Sequence, residues 1–186
     1  MKSVEGKPVV PRYAALIRGI NVGGHKKISM AELRELLATW GFTDVSTYLQ
    51  SGNAVLTSPE GPDAVAARIE DGIREQLDMT VRVLVRTGPE LQAVIDAHPL
   101  TAVADNGSRM FAHFLSADPD PALLAENDPR SLAPDEVVLG DRVIYQWCPN
   151  GALESPAVGP FVERKLKLTV TARNWNTVTK LASMLG

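Results

Sequence analysis

The order of strand and helix signals predicts an α+β protein made of two ferredoxin-like halves packed into one compact unit. Each half shows the same element order, β-α-β-β-α-β, followed by one further helix. A polar segment, residues 102–108, separates the two runs. In this split β-α-β arrangement neighbouring strands form hairpins, and right-handed crossovers place both helices on one face of the sheet. We therefore expect an N-terminal extension over 1–11, a first half over 12–101 and a second half over 102–186.

The first half begins with an apolar strand over residues 13–20 and a helix over 30–40, in which Leu33, Leu37 and Trp40 recur at helical spacing. Glycine adopts the positive φ of tight turns, so Ser51-Gly52 predicts a hairpin. Its strands span 45–50 and 53–57; a helix over 63–78, a strand over 80–86 and a helix from Thr87 to about His98 follow. Thr87 and Glu90 have the spacing of a capping box.

The second half repeats this order after the polar segment. We expect a strand over 110–116, a short helix near 121–127, a hairpin of 136–139 and 142–147, a helix over 159–168, a strand over 169–172 and a helix over 175–185. The sheet face that the crossover helices leave open must be covered by the other half. We expect apolar side chains from one strand of each half on these faces: Val81, Val83 and Val85, and Val143, Tyr145 and Trp147.

The composition indicates a globular protein without a disulfide framework. Of 186 residues, 45% are hydrophobic and 22% are charged, which is usual for soluble domains. No apolar stretch approaches the roughly 20 residues of a membrane span, and the N-terminus lacks the apolar core of a signal peptide. Cys148 is the single cysteine. We therefore expect a cytoplasmic protein that does not contact membranes.

The net charge of −3 is distributed unevenly. Residues 1–27 carry a net +5 and residues 163–186 a net +4, which leaves −12 for residues 28–162. If the two basic ends meet in space, they form a positive patch suited to an anionic ligand. The alternative is a solvated surface without a partner. Nucleic acid is a weaker expectation, because the basic ends lack interleaved aromatic residues.

The segment 18–27 joins the first apolar strand to a helix N-terminus, where backbone N–H groups and the helix dipole favour an anion. Its candidate ligand-binding residues are Arg18, Asn21, His25 and Lys26. The glycine spacing fits neither the phosphate loop nor G-x-G-x-x-G. Helix-terminus contacts supply roughly 0.3–1 kcal/mol each, whereas micromolar binding needs about 8 kcal/mol. Other segments must therefore converge here, or the glycines serve the turn and the lysines are merely solvated.

Two further turns place polar side chains beside strand ends. The candidate residues are Gln50, Ser51 and Asn53 at the hairpin turn, and Arg173, Asn174 and Asn176 before the last helix. If the three strand ends share one sheet edge, these residues and those of 18–27 form one polar pocket in which arginine grips a phosphate or carboxylate. The alternative is that they cap helices and join the two halves by hydrogen bonds.

Established catalytic and metal motifs are absent from the sequence. C-x-x-C, H-E-x-x-H and G-x-S-x-G do not occur. His25, His98 and His113 are isolated, so we expect no metal site. Cys148 has no evident histidine partner and is interpreted as a half-buried strand residue rather than a nucleophile. No motif identifies a cofactor.

Three blocks resemble an uncharacterised bacterial family, domain of unknown function 1697. They are residues 14–26 (AALIRGINVGGHK), 47–53 (TYLQSGN) and 171–181 (TARNWNTVTKL). The resemblance covers residues 12–186 and implies an α+β fold with two ferredoxin-like halves. It implies no catalytic residue, cofactor or substrate, because the family has no established activity.

Three functions agree with these observations. The leading hypothesis is a cytoplasmic module that binds a small anionic or nucleotide-like ligand at the three polar turns. An enzyme, such as a transferase, acting in the same pocket is the alternative. In a third interpretation the chain is a structural or protein-interaction domain whose motifs join the two halves. In that case Asn21→Ala and Asn176→Ala each lower stability by roughly 1–3 kcal/mol, because buried hydrogen-bond partners are lost.

Overall fold

A computed structural model of the chain describes residues 9–23 and 27–186. The strands of the first half are β1 (Arg12–Arg18), β2 (Thr43–Tyr48), β3 (Asn53–Thr57) and β4 (Arg82–Thr87). They form a four-stranded antiparallel sheet in the order β2-β3-β1-β4. The first strand therefore lies in the middle of the sheet, between the third and the fourth, as a split β-α-β unit requires.

The second half repeats this topology. Its strands are β5 (Met110–Leu115), β6 (Val137–Leu139), β7 (Val143–Trp147) and β8 (Val170–Asn174), in the sheet order β6-β7-β5-β8. All neighbouring strands in this sheet are antiparallel. The predicted fold class, α+β with two ferredoxin-like halves, is confirmed.

The helices fall into three groups, two that cover the outer faces of the two sheets and one that lies between the halves. One face of the first sheet packs on α1 (Met30–Thr39) and α2 (Pro62–Leu77). The outer face of the second sheet is covered by apolar residues of α4 (Pro121–Glu126), a 3₁₀ turn (Pro129–Leu132) and α5 (Val158–Phe161). The helix expected over 159–168 is this short α5, continued by a π turn (Val162–Leu166). In the described residues, no helix has the length and apolar character to cross a membrane.

The core between the halves is built from both sheets and two helices, α3 (Gly88–Asp96) and α6 (Trp175–Leu185). Leu16 and Phe114 come from the central strands of the two sheets, and Leu181 comes from α6. The Tyr145 hydroxyl donates to the Val94 carbonyl of α3 at 2.7 Å. Local signals position both helices: α3 begins with the predicted capping box of Thr87 and Glu90, and Asn174 caps α6.

The expected contact face is right for the second sheet and wrong for the first. Val143, Tyr145 and Trp147 do lie in the core between the halves. Val81, Val83 and Val85 instead pack in the core under α1 and α2. Leu84 and the buried Arg86 face the second half, and Arg86 is tolerated there because carbonyl oxygens accept its N–H groups. Alternation along a strand shows which residues share a face, but not which face is turned to the other half.

Two arginines occupy equivalent positions in the two halves. Arg86 pairs with Ala14 of β1, and Arg173 pairs with Ala112 of β5, in the same register. Both arginines are buried. Arg86 donates to the Leu115 carbonyl at 2.6 Å, and Arg173 donates to the Ile17 carbonyl at 3.2 Å. Each half therefore binds the end of the other half's central strand through an arginine.

Candidate functional site

A cleft of about 700 Å³ lies where the outer face of the second sheet meets the end of β1 and the β2–β3 turn. We call it the inter-half cleft. The first half contributes residues 17–22, 50 and 51; the second contributes 111, 113, 146, 148, 152, 156–160 and 170–173. Residues of all three segments that the sequence singled out therefore line the cleft: the loop after β1, the β2–β3 turn, and Arg173 from the segment before the last helix.

The described lining of the inter-half cleft is mainly apolar and contains no carboxylate. Phe111 and Ala172 belong to the second sheet, and Pro156–Pro160 form the wall beside α5. Arg18 and Arg173 are the cationic side chains among the described lining residues, which include no aspartate or glutamate. A mainly apolar cleft with a few placed polar groups is the usual form of a small-molecule site.

Arg173 is the central polar group of the wall, and its guanidinium N–H groups donate to other groups of the protein. Its Nε donates to Asn53 Oδ1 at 2.5 Å, and its Nη1 donates to Thr171 Oγ1 at 2.7 Å and to the Ala172 carbonyl at 2.8 Å. Its Nη2 approaches the carbonyls of Ile17, Ser51 and Gly52 at 3.2 to 3.5 Å. Burial lowers the pKa of Arg173 to about 10, so the side chain is still cationic at neutral pH. No carboxylate among the described residues pairs with it.

The β2–β3 turn supplies acceptors for Arg173. Asn53 is fully buried, and its Nδ2 donates to the Tyr48 carbonyl at 2.8 Å and to Ser51 Oγ at 3.0 Å. Its Oδ1 is thereby directed at Arg173. Gly52 has a φ of +88°, and a Cβ at this position would lie 2.7 Å from the Ile17 carbonyl oxygen. The turn therefore needs glycine both for its backbone conformation and for its close approach to β1.

Asn21 joins the two described ends of the loop that follows β1. Its Nδ2 donates to the carbonyls of Ile28 and Gln50, at 2.9 and 3.0 Å, and its Oδ1 accepts from the Ile28 N–H at 2.8 Å. Its φ is +54°, a left-handed conformation that asparagine adopts more readily than most residues. Asn21 thus ties both ends of the loop to the β2–β3 turn, while the exposed Gln50 lines the inter-half cleft.

Arg18 lies at the edge of the inter-half cleft and forms an ion pair with Glu163 of the π turn. The two side chains are 41% and 36% exposed. The pair links the first half to the second. Both side chains are in contact with solvent, and a solvated ion pair contributes little net stability. Arg18 is therefore the cation of the cleft wall whose partner is easiest to exchange.

His113 and Gln146 supply polar groups that sequence reasoning did not place in the site. His113 Nε2 lies 2.8 Å from Gln146 Oε1, and Gln146 Nε2 donates to the Pro156 carbonyl at 2.9 Å. Because the Gln146 amide nitrogen donates to Pro156, the Gln146 oxygen is the acceptor in the bond to His113. The neutral ring therefore carries its one proton on Nε2. His113 Nδ1 is buried without a partner among the described residues. Burial lowers the pKa of His113 to about 4, so the ring is neutral at pH 7.

The family model described as protein of unknown function (DUF1697) matches residues 10–145. The chain belongs to the DUF1697 family. A conserved bacterial protein from Streptococcus pneumoniae, SP0830, has a solved structure that superposes with a TM-score of 0.71 at 25% identity, over 96% of this chain and 100% of that one. No curated protein matches.

The DUF1697 blocks that the sequence singled out have different places in the structure. Five of the predicted residues line the inter-half cleft: Arg18, Asn21, Gln50, Ser51 and Arg173. Asn53 does not line the cleft but accepts a hydrogen bond from Arg173. Asn174 and Asn176 do not line the cleft: Asn174 caps α6, and Asn176 donates to Ser108 Oγ at 3.3 Å. His25 and Lys26 lie outside the described residues.

The expected common sheet edge does not occur. β1 and the β2–β3 turn belong to the first sheet of this DUF1697 protein, whereas β8 belongs to the second. The segments meet across the boundary between the halves. His113 and Gln146 were missed because each stands singly within an apolar strand; the signal was a polar side chain at a buried strand position. Cys148 is fully buried rather than half-buried, and burial raises the pKa of its thiol.

Asn21→Ala is expected to lower the free energy of unfolding by about 1–3 kcal/mol, because three hydrogen bonds are lost and alanine is strained at positive φ. Chemical denaturation measures this change. Asn21→Gly separates the two causes, since glycine tolerates the backbone conformation but forms no side-chain bonds. Asn176→Ala serves as the control and is expected to change stability by less than about 0.5 kcal/mol, because its one bond is long and exposed. Equal losses for Asn21→Ala and Asn176→Ala would contradict this account.

Proposed function

We propose that the inter-half cleft binds a small organic anion with an apolar body, and that the protein is a cytoplasmic ligand-binding module. The observation that supports the proposal is a buried cation, Arg173, in the wall of an apolar cleft whose described lining has no carboxylate. A charge in such surroundings is poorly screened, so it attracts an anion more strongly than a solvated lysine does. The free thiol of Cys148 is consistent with a reducing compartment.

A second cleft of about 470 Å³ is lined by the elements that correspond to β8, α5 and the loop after β1, namely β4, the start of α2 and the segment that follows β5. Arg86 lines it, as Arg173 lines the first. Its lining, however, also contains Asp63, Glu90 and Asp118. The two clefts thus share an architecture and differ in charge, and this contrast supports the carboxylate-free inter-half cleft as the anion site.

The titratable groups of the inter-half cleft do not favour the enzyme alternative. A general base works best when its pKa lies near the operating pH, and a cysteine nucleophile needs a lowered pKa. Burial shifts both groups the other way, because it lowers the pKa of His113 to about 4 and raises that of Cys148. The polar motifs that join the halves also shape the cleft wall, so a structural role for them is compatible with ligand binding.

Titration with 8-anilinonaphthalene-1-sulfonate, a fluorescent aromatic anion, tests the proposal. We expect saturable binding of one molecule per chain. Ala172→Trp should weaken binding by about tenfold or more, because Ala172 is exposed in the cleft and an indole there fills the space. Ala125→Trp, at an exposed position of α4 outside the cleft lining, is the matched control and should bind as wild type does. No saturable binding, or equal weakening by both variants, would overturn the proposal.

A further inference from the structure

We infer that the ligand of the inter-half cleft is an organic monocarboxylate, and that its carboxylate takes the place of Glu163 on Arg18. This inference rests on the proposed function and makes its ligand class specific. The two arginines of the wall differ in their partners. Arg173 donates to several groups of the protein, whereas Arg18 has a single side-chain partner, the carboxylate of Glu163.

Arg173 contributes charge without free donors. A guanidinium has five N–H groups, and those of Arg173 face Asn53 Oδ1, Thr171 Oγ1 and four backbone carbonyls. A ligand oxygen that displaced them would leave buried carbonyl groups unsatisfied, which is costly. Arg173 therefore makes the electrostatic potential in the cleft more positive but donates no hydrogen bond to the anion.

Arg18 is free to change partner. Its ion pair with Glu163 is more than a third exposed on both sides, and such pairs contribute little net stability. The pair already shows the arginine–carboxylate contact that a ligand would make at this edge. A ligand carboxylate can therefore replace Glu163 at small cost, and Glu163 then becomes solvated.

The other polar groups of the lining limit the charge that the cleft accepts. His113 donates its Nε2–H to Gln146, and the Gln146 amide donates to Pro156, so the donors of these two side chains already have acceptors. Among the side chains of the described lining residues, the donors without an acceptor besides Arg18 include the Gln50 amide and the hydroxyls of Ser51 and Thr171. A phosphate ester brings up to two charges and three oxygens, whereas a carboxylate needs one bidentate partner. Phe111 and the wall at 156–160 suit an apolar body.

Three naphthalene probes that differ in one group test the inference by isothermal titration: 2-naphthoate, 2-naphthyl phosphate and neutral 2-naphthamide. We expect 2-naphthoate to bind most tightly to the wild-type protein. E163Q should raise the affinity for 2-naphthoate by about two- to fivefold, because the ligand no longer has to break an exposed ion pair, whose contribution is of this size. The affinity for 2-naphthamide should be unchanged. R18Q should weaken 2-naphthoate by about tenfold.

E154Q is the matched control for E163Q. It removes the same charge from an exposed site two residues from the lining residue Ala152, but Glu154 forms no ion pair with Arg18. Equal effects of E163Q and E154Q on 2-naphthoate, tighter binding of the phosphate than of the carboxylate, or no binding of 2-naphthoate would each overturn the inference. Anilinonaphthalene sulfonate binding that Ala172→Trp weakens would leave the proposed function standing in all three cases. Melting curves verify that the exposed substitutions leave the fold intact.

Discussion

Arg173→Met is expected to lower the free energy of unfolding by about 3–5 kcal/mol, the largest loss that we predict for this protein. Methionine fills much of the volume of arginine but donates no hydrogen bond. Asn53 Oδ1 and the Ile17 carbonyl, which are bound by the guanidinium, then stay buried without a partner. Urea denaturation, followed by tryptophan fluorescence and by circular dichroism, measures the change and tests whether the two halves still unfold together.

Two variants separate the causes of this loss. Arg173→Lys keeps the charge but loses the planar fork, so an intermediate loss is expected. Arg86→Met removes the equivalent contact of the other half and should cost less, because the Arg86 side chain forms two hydrogen bonds and a cation–π contact with Phe114. A loss for Arg173→Met no larger than that for exposed Arg74→Met, expected within about 0.5 kcal/mol, would contradict the role assigned to Arg173.

Acidification from pH 6.5 to pH 4 is expected to remove about 3 kcal/mol of stability through His113 alone. The ring has a pKa of about 4 in the folded protein, against 6.5 for a solvated histidine, because burial disfavours its charged form. The unfolded chain therefore binds a proton first as the pH falls, and one pKa unit corresponds to about 1.4 kcal/mol. The loss begins near pH 6.5 and levels off below pH 4.

The difference in unfolding free energy between wild type and His113→Gln, measured by urea denaturation across this pH range, isolates the effect from other titrating groups. Glutamine can keep a donor towards Gln146 and does not titrate. The partly buried His98 provides the control: burial also lowers its pKa, and His98→Gln should change the pH dependence less. Parallel stability curves for wild type and His113→Gln would show that the ring is not held neutral by burial.

The fold was largely predictable from local patterns. Apolar spacing located the helices, the capping pair Thr87 and Glu90 marked the start of α3, and Gly52 marked the hairpin turn. Element order then restricted the topology, because short hairpins and right-handed crossovers leave few arrangements of four strands. The predicted helix over 159–168 was less accurate: its last turns form a π turn that ends at Lys167 in a left-handed conformation.

The candidate site was predictable only in part. Asn21, Asn53 and Arg173 were singled out as polar residues at strand ends, but their partners lie as far as 156 residues away along the chain, as for Arg173 and Ile17. His113 and Gln146 looked like single polar interruptions of apolar strands. Asn174 and Asn176 share a motif with Arg173, yet one caps a helix and the other contacts Ser108.

Short-range chemistry along the chain is sufficient to specify the strands, helices and turns of both halves, because φ preferences, capping and apolar periodicity act within a few residues. Which strand faces meet, and which polar groups become walls of a cleft, is decided only when the two sheets pack. Val83 and Arg86 show the reason: each strand offers two faces, and the one that turns inward depends on the partners that the other half supplies. The loop after β1 illustrates both levels, since Gly19 and Asn21 set a local turn at positive φ, whereas packing against the second half makes these residues part of a cleft wall.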